Sequence, residues 1–469
     1  MLWFRQYYLG CLSHASYLVG DTSTGRAVVV DPQRDIAQYL ADADANGLRI
    51  ERVIETHFHA DFLSGHLELA EATGAVISYG EAAAGRAEYA IDTLAHGERI
   101  SLGEVELEVR ATPGHTPESI SIVVWERAGD AVPYGVLTGD TLFIGDVGRP
   151  DLLVSIGHSA EDLGRMLYHS LHEQLLTLPD ATRVYPAHGA GSACGKNLST
   201  ETESTIGAER ATNYALHPMT EAEFVARVTE GQPAAPPYFL FAATKNRQQR
   251  DLLHEQGIAP MTLDEVLDAQ GTGAAVLDTR DQVMFAAGHL RGSIDVGLDG
   301  RFAEYTGDVL APDTPIILVG EPNTEAEART RLARIGFDNV IGALDDYVDA
   351  FMQHPDLVER ASRLTVEELA DRTAAVPSLQ VVDIRNPGEI AETGTIPGAA
   401  VIPLPHLVRR IGELDPATPT VVYCAGGYRS TIAASTLRAH GFADVSDLLG
   451  GIGAWGDAGK PLAPAGSAG

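Results

Sequence analysis

The sequence predicts an α/β protein of several domains, on three observations. Strand-like runs alternate with helical ones through the first half of the chain. Histidines and aspartates collect where the strand-like runs end. The second half carries a stretch of roughly a hundred residues twice over, long enough for each copy to be its own domain.

Taken in order, Ser16-Tyr-Leu-Val19 and Ala27-Val-Val-Val30 flank a polar turn at Asp21-Thr-Ser-Thr-Gly25 and predict a hairpin. Glu51 to Glu55 predicts a short strand, and Ala60 to Thr73 a helix that stops at Gly74. Between them lie His57, His59 and Asp61. Alternate side chains of an extended backbone share a face, so the two imidazoles point together, with the carboxylate beside them at a helix N-terminus. That is how a metal site begins. The alternation runs on to a strand at Val184-Tyr-Pro186. Pro113-Gly-His115, Thr138-Gly-Asp140 and Pro186-Ala-His188 each put a ligand-type residue at the end of a predicted strand, where loops gather side chains from distant sequence. Thr220 to Asn246 reads as a less regular connector, with a boundary at Pro233-Ala-Ala-Pro-Pro237.

Beyond that connector, Met261-Thr-Leu-Asp-Glu-Val-Leu267 parallels Leu364-Thr-Val-Glu-Glu-Leu-Ala370, and Val276-Leu-Asp-Thr-Arg280 parallels Val381-Val-Asp-Ile-Arg385. Pro315-Ile-Ile-Leu-Val319 and Pro419-Thr-Val-Val-Tyr423 are buried-strand candidates, each leading into a loop and a helix. The copies part where chemistry would sit, because Gly320 stands in the place of Cys424.

Composition narrows the function classes. With 33 basic against 65 acidic residues the formal charge is -32, which argues against nucleic-acid and anionic-membrane partners. Three scattered cysteines, Cys11, Cys194 and Cys424, form no Cys-x-x-Cys pair, so neither a disulfide framework nor a cysteine zinc site is expected. No apolar run approaches ~18 residues and the N-terminus lacks a targeting pattern, so a soluble, cytoplasmic protein is expected.

The run from Thr56 to Asp61, the Pro113 to Thr116 segment, Thr138 to Thr141 and Ala187-His188-Gly189 resemble the metallo-β-lactamase fold, a four-layer αββα sandwich. In the dinuclear hydrolases of that fold a histidine follows the motif's aspartate and helps hold a second metal; here Phe62 follows Asp61. A phenyl ring offers no lone pair, so one metal is expected. The sequence is similar to the persulfide dioxygenase branch, and that resemblance implies His57, His115 and Asp140 as ligands of a single Fe(II), with O2 as co-substrate. His59, Asp61 and His188 become groups that orient ligands, or alternative ligands. The resemblance extends to Gly148-Arg149-Pro150-Asp151, implying that Arg149 holds a substrate carboxylate at the rim.

Cys424-Ala-Gly-Gly-Tyr-Arg429-Ser430 follows a strand and precedes a helix. A glycine-rich loop of this kind turns backbone N–H groups inward, and the helix N-terminus adds positive potential, favouring a thiolate or persulfide anion. The loop, with Val381 to Arg385 and Thr395-Ile-Pro-Gly398, resembles the rhodanese sulfurtransferases. By that resemblance Cys424 carries persulfide sulfur and Arg429 helps cradle it, while the first copy, without a thiol, is silent. Cys194, six residues after His188, is a candidate contact for persulfide sulfur, with Lys196 favouring its thiolate.

Together these readings resemble multidomain persulfide dioxygenase–sulfurtransferases of sulfide detoxification. They imply a metallo-β-lactamase-like domain over 1–245, an inactive rhodanese-like domain over 256–352 and an active one over 362–465, the last two with parallel sheets. The implied substrate is a low-molecular-weight thiol persulfide, of glutathione, coenzyme A or similar, and the implied assembly a homo-oligomer. Two other readings stand beside this one: a zinc thioester hydrolase of glyoxalase II type fused to a sulfurtransferase, and a sulfur carrier without turnover at the metal domain.

Overall fold

A computed structural model describes residues 1–152, 157, 159–253 and 257–464. The expected domain limits at 256 and 465 lie outside the described residues. The chain divides into two compact units, Met1–Gln232 with Phe239–His254, and Pro233–Tyr238 with Glu255–Gly469.

The first unit holds two six-stranded sheets. One runs in sequence order through Leu2–Leu9, His14–Asp21, Arg26–Val30, Arg49–Ile54, Val76–Gly80 and Asp92–Leu94, antiparallel at its start and parallel from Arg26–Val30 onward. The predicted hairpin is present, with Asp21 opposite Arg26. The other sheet runs Ser204–Thr205, Arg183–Pro186, Gly135–Gly139, Ile120–Trp125, Glu106–Ala111 and Arg99–Ser101.

Alternation explains why apolar runs such as Ala27 to Val30 are continuous. Val28 and Val30 enter the layer between the sheets with Leu107, Ile122 and Leu137, while Ala27 and Val29 face outward onto Tyr39 and Leu69 of the covering helices Ala37–Ala45 and His66–Thr73. Leu167, Leu171 and Phe224 cover the other sheet in the same way. The result is the αββα sandwich.

The helix predicted from Ala60 begins only at His66. A Cβ on Gly65 would lie 2.1 Å from the Gln33 carbonyl oxygen, and Ser64 Oγ is tied to the Glu55 carboxylate, so tertiary contacts hold 55–65 as a loop. The expected irregular connector is also more ordered than predicted. It contains helices Glu221–Thr229, with a Thr220/Glu223 capping box, and Phe239–Lys245.

In the second unit both copies form five-stranded parallel sheets of one order. These are Pro260–Met261, Val340–Leu344, Ile316–Val319, Ala275–Asp278, Ile294–Asp295, and then Ser362–Leu364, Val445–Leu448, Thr420–Tyr423, Gln380–Asp383, Ala400–Val401. The repeated sequence has a local cause. Thr262 with Glu265 and Thr365 with Glu368 form matching capping boxes, and Arg280 on Asp278 and Arg385 on Asp383 form matching buried ion pairs.

Asp295 carries a pH-dependent cost. Burial pushes its carboxyl up to about 8, and its Oδ1 has no hydrogen-bond partner. The folded protein therefore holds a proton that the unfolded chain has already released above ~4, and stability falls as pH rises through that window up to about 8. Asp295→Asn removes the term, so its advantage over wild type should grow from pH 5 to pH 8, reaching ~1–3 kcal/mol in urea melts followed by circular dichroism.

Candidate metal centre and thiol loop

Each candidate ligand leaves the end of a strand. His57 follows Arg49–Ile54, His115 follows Glu106–Ala111, Asp140 directly follows Gly135–Gly139, and His188 follows Arg183–Pro186. A Cβ on Gly148 would stand 1.8 Å from the Asp140 carbonyl oxygen, so only glycine lets that loop close over the site.

His57, His115 and Asp140 converge. Asp140 Oδ2 lies 3.4 Å from His115 Nε2 and 3.9 Å from His57 Nε2, all fully buried. The second polar atom of each side chain is already engaged: His57 Nδ1 with Thr56 Oγ1 at 3.0 Å, His115 Nδ1 with the Arg149 carbonyl at 2.9 Å, and Asp140 Oδ1 with His188 Nδ1 at 2.7 Å. Those bonds leave the two Nε2 atoms as lone-pair donors. His57 Nε2 and Asp140 Oδ2 have no hydrogen-bond partner.

Electrostatics select the ligating forms. Burial and neighbouring imidazoles hold His57 well below the usual histidine range, and burial lowers His115. Burial works against the Asp140 anion, but His188, His115 and His57 hold its carboxyl well below the ordinary value. Two neutral imidazoles and one carboxylate fit a divalent transition metal with positions left open.

The other motif residues form two further groups. His59 turns away from His57, its Nε2 3.0 Å from Asp31 and 3.4 Å from Glu55. Burial opposes its charge, yet the two carboxylates push it up to about 10. Asp61, His188 and Cys194 form the third group, with His188 Nε2 2.6 Å from Asp61 Oδ2. Phe62 is buried and packs on His14 at 4.0 Å and His59 at 4.4 Å between ring centroids.

Two sequence expectations change here. Lys196 does not approach Cys194; its Nζ donates to the Arg227 and Glu230 carbonyls, and burial beside Asp61 and Asp140 drives the Cys194 thiol well above the usual range. Arg149 is buried and not on the rim. Its guanidinium forks onto Asp151 at 2.6 and 2.7 Å and donates to the Ala193 carbonyl at 3.1 Å.

Sequence reasoning passed over Asp31, Glu55, His66 and Asn246. Asn246 clasps the loop, donating to the His59 and Phe62 carbonyls and accepting from Ser64 N–H. Only the fold brings it there, from 180 residues away along the chain in round terms.

In the second unit, Cys424 lies between strand Thr420–Tyr423 and helix Arg429–Ala439. Its Sγ accepts from Gly427 N–H at 3.1 Å and stands 3.7 Å from Ser430 Oγ, with Asp447 beyond. Arg429 forks onto the Glu389 carboxylate at 2.6 and 2.8 Å. Tyr428 reaches into the first copy, donating to the Gly297 carbonyl at 3.0 Å. In that copy a Cβ on Gly320 would meet Thr279 Oγ1 at 2.4 Å, so the position has lost the room for a thiol as well as the thiol.

The metallo-beta-lactamase superfamily matches residues 9–188, and the rhodanese-like domain matches 262–354 and 365–458. The mitochondrial persulfide dioxygenase ETHE1 of Bos taurus is 32% identical over 235 residues, 49% of this chain and 82% of that protein. A hydroxyacylglutathione hydrolase of Polaromonas sp. is 36% identical over 37% of this chain and 61% of its own. The crystal structure of a metallo-beta-lactamase from Staphylococcus aureus subsp. aureus COL aligns with a TM-score of 0.66 at 35% identity, over 73% of this chain and 98% of that one. With the greater part of a persulfide dioxygenase aligned to its first half and the rhodanese pattern matched twice in its second, the chain belongs to the persulfide dioxygenase family of the metallo-beta-lactamase superfamily and carries two rhodanese-like domains.

Proposed function

We propose that this chain oxidises low-molecular-weight thiol persulfides with O2 at a single ferrous centre and passes sulfane sulfur through Cys424. One observation carries the reading. His57 Nε2, His115 Nε2 and Asp140 Oδ2 converge in a buried site while the other polar atom of each side chain is held elsewhere. Two imidazole nitrogens and one carboxylate oxygen would hold a ferrous ion there without filling its coordination positions. Iron bound there supplies the oxygen chemistry that no side chain provides. One persulfide, one O2 and one water give one thiol, one sulfite and two protons.

The residues do the rest. Thr56 and the Arg149 carbonyl fix the imidazole tautomers, and His188, bonded to Asp140 and beside Asp61, keeps the Asp140 carboxylate anionic. In the module over 362–465, the Cys424 thiolate takes the outer sulfur of R–S–SH and releases the thiol; attack of sulfite on that sulfur gives thiosulfate and restores the thiolate. The module over 256–352 serves as a wall for the thiol loop through Tyr428, and the domain over 1–245 holds the iron.

The similarity to a hydroxyacylglutathione hydrolase supports a second reading, zinc-dependent thioester hydrolysis. Anaerobically purified protein loaded with iron and given glutathione or coenzyme A persulfide separates the two. O2 uptake with sulfite or thiosulfate formed is expected. Bound zinc, no O2 uptake and hydrolysis of acyl-glutathione would establish the second reading instead.

A further inference from the structure

We propose that Asp447, acting through Ser430, is a positioning residue that stores the Cys424 proton while Cys424 carries sulfur. The inference rests on the carrier reading of Cys424 and adds to it where the proton goes. Cys424 Sγ–H faces Ser430 Oγ at 3.7 Å and Ser430 O–H faces Asp447 Oδ2 at 3.4 Å, with all three side chains buried. The path closes on itself. Arg363 donates to Asp447 Oδ1 at 3.0 Å, to Oδ2 at 3.1 Å and to the Gly427 carbonyl at 3.3 Å, and Gly427 N–H donates to Cys424 Sγ at 3.1 Å. Asp447 is thereby linked to both hydrogen-bond neighbours of the sulfur, Ser430 directly and Gly427 through Arg363.

The silent copy supplies the control. Its sheet has the same strand order, and the ladder sets Pro260 opposite Ala343 where the active copy has Arg363 opposite Asp447. Its helix Glu325–Ala333 starts five residues after Gly320, as Arg429–Ala439 starts five after Cys424, so Ala326 stands for Ser430. Thiol, hydroxyl, carboxylate and guanidinium are missing together, and that copy folds without them. The Arg363–Asp447 pair is therefore no requirement of the fold; it accompanies the thiol. Burial raises the Asp447 carboxyl above its ordinary value against the pull of Arg363 and Ser430, which readies it to take a proton.

The step balances without an outside base. Cys424 Sγ–H passes its proton to Ser430 Oγ as Ser430 O–H passes its own to Asp447 Oδ2, and the thiolate bonds to the outer sulfur of R–S–SH. The S–S bond of R–S–SH breaks, and the departing R–S⁻ takes the outer sulfur's proton, leaving Cys–S–S⁻, R–SH and a protonated Asp447. Sulfite then removes the outer sulfur as thiosulfate, and the stored proton returns through Ser430 to the thiolate left behind. Cys424 and Asp447 together carry one negative charge throughout, so the buried site never holds a carboxylate and a sulfur anion at once.

The test follows alkylation of Cys424 by iodoacetamide, a neutral reagent, in the full chain between about pH 6 and pH 7, reading the Cys424 peptide by mass spectrometry. The other charged groups facing this circuit keep their state there. Arg363, Arg429 and Arg438 do not titrate, Arg429 holds Glu389 as the anion, and Asp295, pushed up to about 8, keeps most of its proton. The wild-type rate should change less than ~3-fold, because its thiolate forms by moving a proton to Asp447 and not to solvent, whereas Asp447→Asn and Ser430→Ala should each change ~10-fold per pH unit. Ser430→Ala leaves the Arg363–Asp447 pair in place, so a merely structural role for that pair predicts no steepening in this variant. A ~10-fold change in the wild type, or a Ser430→Ala profile as flat as the wild type's, overturns the proposal. A flat wild-type profile steepened by both variants, with no sulfur found on Cys424 after exposure to glutathione persulfide, sinks the carrier reading alone and leaves the proton store standing.

Discussion

Asp140→Asn, purified anaerobically in the presence of iron, should retain less than about a tenth of the wild-type metal and lose at least ~100-fold in O2 uptake, more than is typical for the loss of a partner that only orients a ligand. The reason is the division of labour between its oxygens. Oδ1 accepts from His188 Nδ1, and the amide oxygen of asparagine can keep that bond. The amide nitrogen then occupies the Oδ2 position, facing His57 Nε2 and His115 Nε2 with hydrogens in place of a lone pair. His188 loses a charged neighbour at the same time, so part of what raises its pKa disappears. Circular dichroism should show the fold unchanged, because the bond to His188 survives. His59→Ala is the counter-test. If it empties the site while Asp140→Asn does not, the metal belongs with Asp31 and Glu55.

How much of this was readable in advance follows from which contacts are local. The repeat was legible because its signals are short-range: a capping box spans three residues, and the Asp278–Arg280 and Asp383–Arg385 pairs span two. The strands were legible because continuous apolar runs are buried on both faces. The helix start was misread because Asp61 resembles a cap, whereas Gly65 against Gln33 and Ser64 against Glu55 decide the backbone there. The Thr220/Glu223 box lay in plain sight within the supposed connector.

The site divides in the same way. His57, His115, Asp140 and His188 sit in short motifs that name themselves, and the fold brings them together. Lys196 was paired with Cys194 because it is near in sequence, but two residues along an irregular loop separate a buried thiol from an amine that turns to the Arg227 and Glu230 carbonyls. Asp31 and Glu55 carry no motif of their own. Their role depends on the His59 ring turning toward them, against the packed Phe62 and with its own carbonyl held by Asn246.

Cys424→Ser should lower sulfur transfer from persulfide to sulfite by roughly 10³-fold or more while leaving O2 uptake within about a factor of two, as expected for loss of a nucleophile at a separate site. The hydroxyl that replaces Sγ can still accept from Gly427 N–H, so the loop should keep its shape. What it lacks is a polarisable anion able to displace a thiol from sulfur. Mass spectrometry after brief exposure to persulfide should find one added sulfur on the wild type, in the peptide containing Cys424, and none on that peptide of the variant. Gly320→Cys in the first copy should not rescue transfer. Its Cβ would press on Thr279, and Glu321, bonded by the Tyr347 hydroxyl, sets a carboxylate beside any sulfur anion formed there. If Cys424→Ser keeps full transfer, Cys424 is not the carrier and the thiol must be sought at Cys194 or Cys11; if O2 uptake falls with transfer, the two activities share a step that separate sites do not predict.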